Sequence, residues 1–160
     1  MNTHIRPIRP DEFGLLSDFL YHAIFQRAGD APLPKSVIAQ PELAVFIESF
    51  GKKDDHCLLA LVDGRAVGAV WTRILSGKVK GFGNVDGETP EFAVSVLPEY
   101  RNMGIGRRLM AEMLGLLREK GYAKASLAVQ KDNYAVRLYK QAGFEVVEEN
   151  DEEYIMVCKL

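Results

Sequence analysis

Pro90-Glu91-Phe92-Ala93-Val94-Ser95-Val96-Leu97-Pro98-Glu99-Tyr100-Arg101-Asn102-Met103-Gly104-Ile105-Gly106 is the stretch whose reading decides the fold. Pro90 to Val96 is an apolar run suited to a central strand, and Leu97 to Tyr100 turns the chain. From Gly104 to Lys120 the spacing predicts a long helix, with Ile105, Leu109, Met113 and Leu117 on one stripe and Gly121 as its stop. A helix N-terminus exposes unpaired backbone N–H groups and a partial positive charge. If the loop from Arg101 to Gly106 also turns its N–H groups inward, the two together cradle a diphosphate. Gly104 and Gly106 suit that task because a side chain blocks close approach or the needed backbone angles. Arg101, Arg107 and Arg108 can add charge-assisted contacts from the sides. The same residues also fit an ordinary turn into a helix. Two other nucleotide loops are disfavoured by spacing: a Rossmann fingerprint needs glycine where Leu109 stands, and no Gly-Lys-Ser/Thr follows for a Walker loop.

Outward from this segment the elements alternate. His4 to Ile8 reads as a short strand, and Asp11 opens a helical pattern carried by Phe13, Leu16, Leu20 and Ile24. Ala28 to Pro34 breaks it, and a second helix is expected from Glu42 to Phe50, ended by Gly51. His56 to Val62 and Ala66 to Leu75 flank Asp63-Gly64, a strong hairpin signal. Ser76 to Thr89, with its glycines and lysines, reads as a mobile loop. Beyond the long helix come a strand at Ala123 to Val129, a short helix from Asp132 or Asn133 to Gly143, and strands at Phe144 to Val147 and Tyr154 to Lys159. The expected order is β-α-α-β-β-β-α-β-α-β-β, one α/β domain over residues 1–160 with a mixed sheet flanked by helices. The C-terminal strand is a candidate edge for pairing in a homodimer.

Composition narrows the partners. A formal net charge of -2, without a long basic run, argues against nucleic acid and against an acidic membrane surface. No apolar stretch approaches a bilayer span, and the first residues lack a signal peptide's apolar core, so a cytoplasmic location is expected. Cys57 and Cys158 each sit in an apolar run without metal-ligand spacing, and His4, His22 and His56 form no metal or triad pattern; no metal is expected. Trp71 reads as a sheet-face aromatic.

The segment from Val94 to Gly106 resembles the acetyl-CoA signature of the GNAT N-acetyltransferase superfamily: an apolar strand, then Arg/Gln-x-x-Gly-x-Gly/Ala at a helix start. A second block, Asn133-Tyr134-Ala135-Val136-Arg137-Leu138-Tyr139-Lys140-Gln141-Ala142-Gly143-Phe144, resembles the family's next helix, with Asn, a Tyr six residues on, and Gly-Phe. The resemblance implies the GNAT-like acyl-CoA fold and acetyl transfer from acetyl-CoA to a primary amine by direct attack in a ternary complex. The acceptor class it leaves open is a small molecule, amino acid or peptide end.

Carried over residue by residue, the resemblance assigns main-chain groups of Val94 and Val96 to the pantetheine arm. Amides of Asn102, Met103, Gly104, Ile105, Gly106 and Arg107, with Arg101 beside them, fall to the pyrophosphate. Asn133 is assigned to the pantetheine region and Tyr139 to the cofactor sulfur. It also implies a bulge that splays the strand at Val94 from the strand at Leu127.

Chemistry then asks for proton carriers. A lysine-like amine (pKa ~10.4) is mostly protonated at neutral pH, so a base must take that proton. Glu91, three residues or about 10 Å of strand upstream of Val94, is the candidate base, suited to relay through water. Tyr139 is the candidate acid for the departing thiolate. The Val94 N–H is the expected oxyanion donor, and Ser95 is a weaker candidate on the opposite strand face. Tyr21 to Phe50 and Ser76 to Thr89 are expected to wall the acceptor. A non-catalytic acyl-CoA-binding sensor or scaffold shares the Arg101–Gly106 loop but has no need for Glu91 and Tyr139.

Overall fold

Two glycine-ended helices and one tight hairpin set most of the architecture. Strands β2 (His56–Val62) and β3 (Arg65–Arg73) are joined by Asp63 (φ 49°) and Gly64 (φ 86°), the paired positive φ values of a type I′ turn. Helix α3 (Ile105–Glu119) buries Ile105, Leu109, Met110, Met113, Leu114 and Leu117 along one face. It stops in a Schellman motif: Gly121 is left-handed, its N–H donates to Arg118 O, and the Tyr122 N–H donates to Leu117 O. The computed structural model describes residues 2–160. The remaining elements are β1 (Thr3–Pro7), α1 (Leu16–Ala23), α2 (Pro41–Ala44), β4 (Glu91–Val96), β5 (Lys124–Gln130), α4 (Ala135–Ala142), β6 (Glu145–Glu149) and β7 (Glu153–Lys159). Short 3-10 turns precede α1, α2 and α3.

All strands share one seven-stranded mixed sheet in the order β1-β2-β3-β4-β5-β7-β6, and only β4 and β5 run parallel. The antiparallel neighbours pair along their lengths. One core, built on α3 and completed by Phe92, Leu127, Phe144 and Met156, fills one face. The other face carries a second core of Leu16, Phe19 and Leu20 from α1 with Phe46, Leu59 and Trp71. The element order is the one expected from sequence.

Two expectations are corrected. The second helix does not run to Phe50: α2 has four residues, and turns carry the chain to Ser49. Buried donors explain this, because Trp71 Nε1 donates to Phe46 O (3.0 Å) and Arg73 Nη1 to Val45 O (3.0 Å) and Glu48 O (2.8 Å). Those bonds draw the carbonyls toward the sheet, away from a helical ladder. The C-terminal strand is not an edge, since β7 lies between β5 and β6. The edge is β6, whose Glu145, Glu148 and Glu149 and a register shift at Val146/Glu148 guard it. Residues 76–89 form a loop, as expected, with Gly81 and Gly83 buried against the sheet.

Arg73 ties the second face together. Its Nε and Nη2 donate to Asp55 Oδ1 and Oδ2, both at 3.0 Å, and the two side chains are only 6% and 5% exposed. Removing one partner of such a pair strands a buried charge, at a cost of about 3 kcal/mol or more. Asp55→Ala is therefore expected to lower the urea midpoint sharply. Asp18→Ala, which removes an exposed 3.9 Å contact with Lys35, should leave it where it is. Equal midpoints for the two variants would refute this account of Arg73.

Candidate functional site

The site begins where two strands part. Leu97 N–H donates to Val67 O (2.8 Å) and Ser126 N–H to Pro90 O (2.9 Å). Odd-numbered residues of β4 thus bond to β3, and even-numbered ones turn toward β5. Yet β4 and β5 share a single ladder pair, Glu91–Ser126. Past it the main-chain groups of Val94 and Val96 face an opening with no strand opposite. The splay expected at Val94 and Leu127 is present. The expected bulge is not, for β3 and β4 stay in continuous register from Arg73–Glu91 to Gly68–Val96.

A groove of about 700 Å³ runs from this opening to the start of α3. Asn102 (φ 63°) and Gly104 (φ 82°) take left-handed angles that bend the loop into the helix. Among the described residues, no backbone N–H from Asn102 to Arg107 finds a partner inside the protein. Six consecutive amides at a helix start are thus free for an anion. A Cβ on Gly106 would meet only Leu138 and Val96 at ordinary contact distance, so its lack of a side chain keeps the groove floor low.

The side chains expected here divide. Arg107 lines the groove and also donates to Gln141 Oε1 (3.2 Å). Arg101 lines it too, but its guanidinium is tied to main chain, Nε to Val96 O (2.9 Å) and Nη2 to His22 O (3.1 Å), so it clamps β4 to the end of α1. Ile105 is in the core and Met103 projects into solvent, which leaves their amides as their contribution. Arg108 contacts Glu112 (4.0 Å) and is not part of the groove wall. Ser95 is buried on the face opposite Val94, its hydroxyl without a partner.

A second cavity, about 410 Å³, continues from the first, and Val94, Asn133 and Tyr139 border both. Asn133 Oδ1 accepts the Ala135 N–H (2.9 Å), capping the start of α4 and leaving its amide nitrogen for the opening. Tyr139 packs edge-on against Phe144, with ring centroids 6.2 Å apart, and burial pushes its phenol up to about 12. It is therefore a protonated donor at neutral pH.

Glu91 is 2% exposed and borders the second cavity. Its Oε2 accepts the Gly83 N–H (2.9 Å), while Oε1 has no partner. Burial pushes this carboxyl up to about 7, against the lowering effect of the Gly83 bond, and Glu153 adds to the rise. The roof over Glu91 needs glycine: a Cβ on Gly81 would fall 2.0 Å from Oε1, and one on Gly83 would fall 2.5 Å from the Leu127 carbonyl carbon. Phe82 between them stacks on Phe46 at 6.1 Å. Sequence reading missed this roof and also Gln130, whose buried Oε1 lacks a donor beside the second cavity. The Gly-Phe-Gly run at 81–83 was the available signal.

The bond pattern thus sets a diphosphate-sized row of amides beside an unpaired strand edge, and a raised carboxyl and a phenol around one opening. No group of three or more potential metal ligands occurs among the described residues, and no helix among them is long and apolar enough to cross a membrane.

Comparison with known proteins is in keeping with that geometry. Mycothiol acetyltransferase from Cellulomonas flavigena is 37% identical over 89 residues, covering 54% of this chain and 26% of that protein. The [ribosomal protein bS18]-alanine N-acetyltransferase of Haemophilus influenzae is 34% identical over 61 residues, 38% of this chain and 42% of that protein. This chain therefore spans about a quarter of the first relative's length and less than half of the second's. The PaiA N-acetyltransferase from Thermoplasma acidophilum, solved with coenzyme A, superposes with a TM-score of 0.71 at 18% identity, covering 100% of both chains, a likeness of fold. From Tyr21 to Phe144, well over half of its length, the sequence matches the model of the acetyltransferase (GNAT) family, and the chain belongs to that family.

Proposed function

We propose that this protein transfers an acetyl group from acetyl-CoA to a primary amine. The observation that carries the reading is the junction of two unlike cavities at Val94 and Tyr139. One is lined by four of the residues with free amides, Asn102, Gly104, Gly106 and Arg107, and by Arg101, without a carboxylate in its lining; the other holds the raised carboxyl of Glu91. The first fits a pyrophosphate carrier, and the outward main chain of Val94 and Val96 fits an amide-bearing arm laid alongside it as an added strand. Acetyl-CoA, when bound, supplies an acyl group already activated as a thioester.

The chain's own residues then manage charge and protons. Glu91 takes the proton of the incoming ammonium, relayed through water because the carboxyl is roofed by Gly81 and Gly83. The Val94 N–H faces the opening and donates to the oxygen on which negative charge gathers. As the amide bond forms and the carbon–sulfur bond breaks, Tyr139 gives its phenolic proton to the departing sulfur, and the second proton shed by the attacking nitrogen restores the phenol. Asn133 holds α4, and hence Tyr139, in place through its cap on Ala135.

A thermal-shift comparison tests the reading at its base. Acetyl-CoA and CoA should raise Tm, whereas ATP and NAD should not, since a ligand at a hundredfold its Kd stabilises by about 2.7 kcal/mol. Absence of any shift with either CoA species at millimolar concentration would overturn it. A shift without thiol release on a broad amine panel would leave a binding module instead.

Two variants test the roles. Tyr139→Phe should lower kcat by about 100-fold while leaving CoA affinity nearly unchanged; full turnover in that variant would remove Tyr139 as the acid. Glu91 makes opposite predictions for rate and stability. The base must be ionised, so kcat/KM should rise with pH and level off above about 7, and Glu91→Gln should lose that limb. Because the folded-state pKa lies above the unfolded one, the stabilising contribution of the neutral carboxyl is present below about 4.5 and lost as pH rises through about 7. Relative to Glu91→Gln, the native protein should lose stability by about 3 kcal/mol between pH 4 and pH 8 in urea titrations. Parallel stability curves would contradict a buried, ionising Glu91.

A further inference from the structure

The second cavity is specific in what it contains and in what it lacks. Glu91, Glu152 and Glu153 border one part of it, and Phe25, Phe46 and Phe82 another; its lining has no Lys, Arg or His. The neighbouring cations are already engaged. Arg27 lies over the Phe25 ring at 5.3 Å, but its guanidinium is held by both oxygens of Asp132 at 2.6 and 2.9 Å. Lys131 pairs with Glu149 (3.5 Å) and rests over Tyr154. Neither Glu152 nor Glu153 takes part in an ion pair among the described residues.

Two buried acceptors independently point to a ligand that donates hydrogen bonds. Glu91 Oε1 and Gln130 Oε1 both lack partners, and both residues border the cavity. A buried acceptor left without a donor is costly, and a donor-bearing occupant relieves it, directly or through a bridging water. Gln130 stands opposite Glu153 in the β5–β7 ladder, so the free amide oxygen and that carboxylate belong to one part of the wall.

We infer that the acceptor is a small-molecule primary amine borne on a compact apolar group, with no carboxylate beside the amine. This rests on the acetyl-transfer reading above. Carboxylates and free acceptors draw the ammonium; the phenylalanines take the apolar group; a carboxylate next to the amine would meet three glutamates and no cation. An α-amino acid is disfavoured on that ground. The volume, about 410 Å³, falls in the range of small-molecule pockets. Gly83 lies against the Leu127–Ala128 peptide, so the loop closes this side against an extended chain.

The test is a matched series assayed by thiol release: 2-phenylethylamine, phenylalanine, ethylamine and the peptide Phe-Gly-Gly. The kcat/KM for 2-phenylethylamine should exceed that for phenylalanine and for Phe-Gly-Gly by at least about tenfold, and that for ethylamine by about 10- to 200-fold. Glu153→Lys, which places a cation in the wall, should slow turnover of ethylamine and 2-phenylethylamine alike and shrink or reverse the preference over phenylalanine. Phe82→Ala should raise KM for 2-phenylethylamine by a larger factor than for ethylamine, narrowing the ratio between them. Equal use of phenylalanine, or better use of Phe-Gly-Gly, would overturn the inference, the latter assigning the site to a chain end. Calorimetry on CoA-saturated protein separates the two readings. Binding of 2-phenylethylamine but not phenylalanine, without turnover, would uphold the pocket and sink the transferase; no binding and no turnover of any of the four would sink the pocket as well.

Discussion

Everything at the site follows from one missing set of hydrogen bonds. β4 and β5 are parallel neighbours in the sheet, yet they share only the Glu91–Ser126 pair. A central strand in a mixed sheet normally spends its main-chain groups on both sides. Here no strand claims the groups of Val94 and Val96 on one side, where Val96 O accepts only from Arg101 Nε, and the sheet itself offers an open edge. The same parting lets Tyr139 reach the opening from α4 and lets the roof at Gly81–Gly83 settle onto β5. The rest of the fold tolerates this because each strand is held firmly by its outer neighbour, β4 by β3 in unbroken register and β5 by β7 from Lys124 to Gln130.

The parting also divides charge. Toward α3 the lining carries arginines and free amides; toward β7 it carries carboxylates. Charges of opposite preference can share one continuous opening because they are borne on different elements, the α3 start against the β4 and β7 starts. Glu91 sits at the seam, and its burial has two effects of opposite sign. Removing water makes the carboxylate a stronger base, and the same removal makes ionisation costly to the folded state. The Gly83 N–H offsets part of that cost. A roof with side chains at 81 or 83 would collide with the carboxylate or with β5, so the chain uses glycine at both positions.

Local chemistry made much of this legible from sequence. The α3 stripe, the Asp63-Gly64 hairpin and the stop at Gly121 all rest on contacts within a few residues, and the structure has each of them. The reading failed where distant partners decide. Nothing in residues 42–50 reveals that Trp71 and Arg73 will claim the carbonyls of Phe46, Val45 and Glu48. Nor does a strand's own alternation show which strand lies outermost, and β7, a candidate edge by sequence, lies between β5 and β6. The loop from Arg101 to Gly106 is legible as a row of amides and less so as side chains: its amides from Asn102 onward are free, but Arg101 is spent on Val96 and His22. The splay was expected through a bulge; the structure achieves it by ending the β4–β5 ladder after one pair.

The Tyr139–Phe144 block shows how a local rule can carry a remote role. Gly143 is left-handed (φ 108°), its N–H donates to Lys140 O and the Phe144 N–H donates back to Tyr139 O (3.0 Å), a Schellman ending. That bond fixes the backbone of the proposed acid to the residue that begins the path into β6. Phe144 then anchors in the core against Phe92 of β4, with ring centroids 5.6 Å apart and planes at 80°. Gly143 has little room for change, since a Cβ would meet Cys158 Sγ at 3.4 Å on top of the strained φ. One helix ending thus links Tyr139 to the strand whose free edge it faces. The spacing Tyr-x-x-x-Gly-Phe is the sequence trace of that mechanical link, which is why it can be read without seeing the sheet.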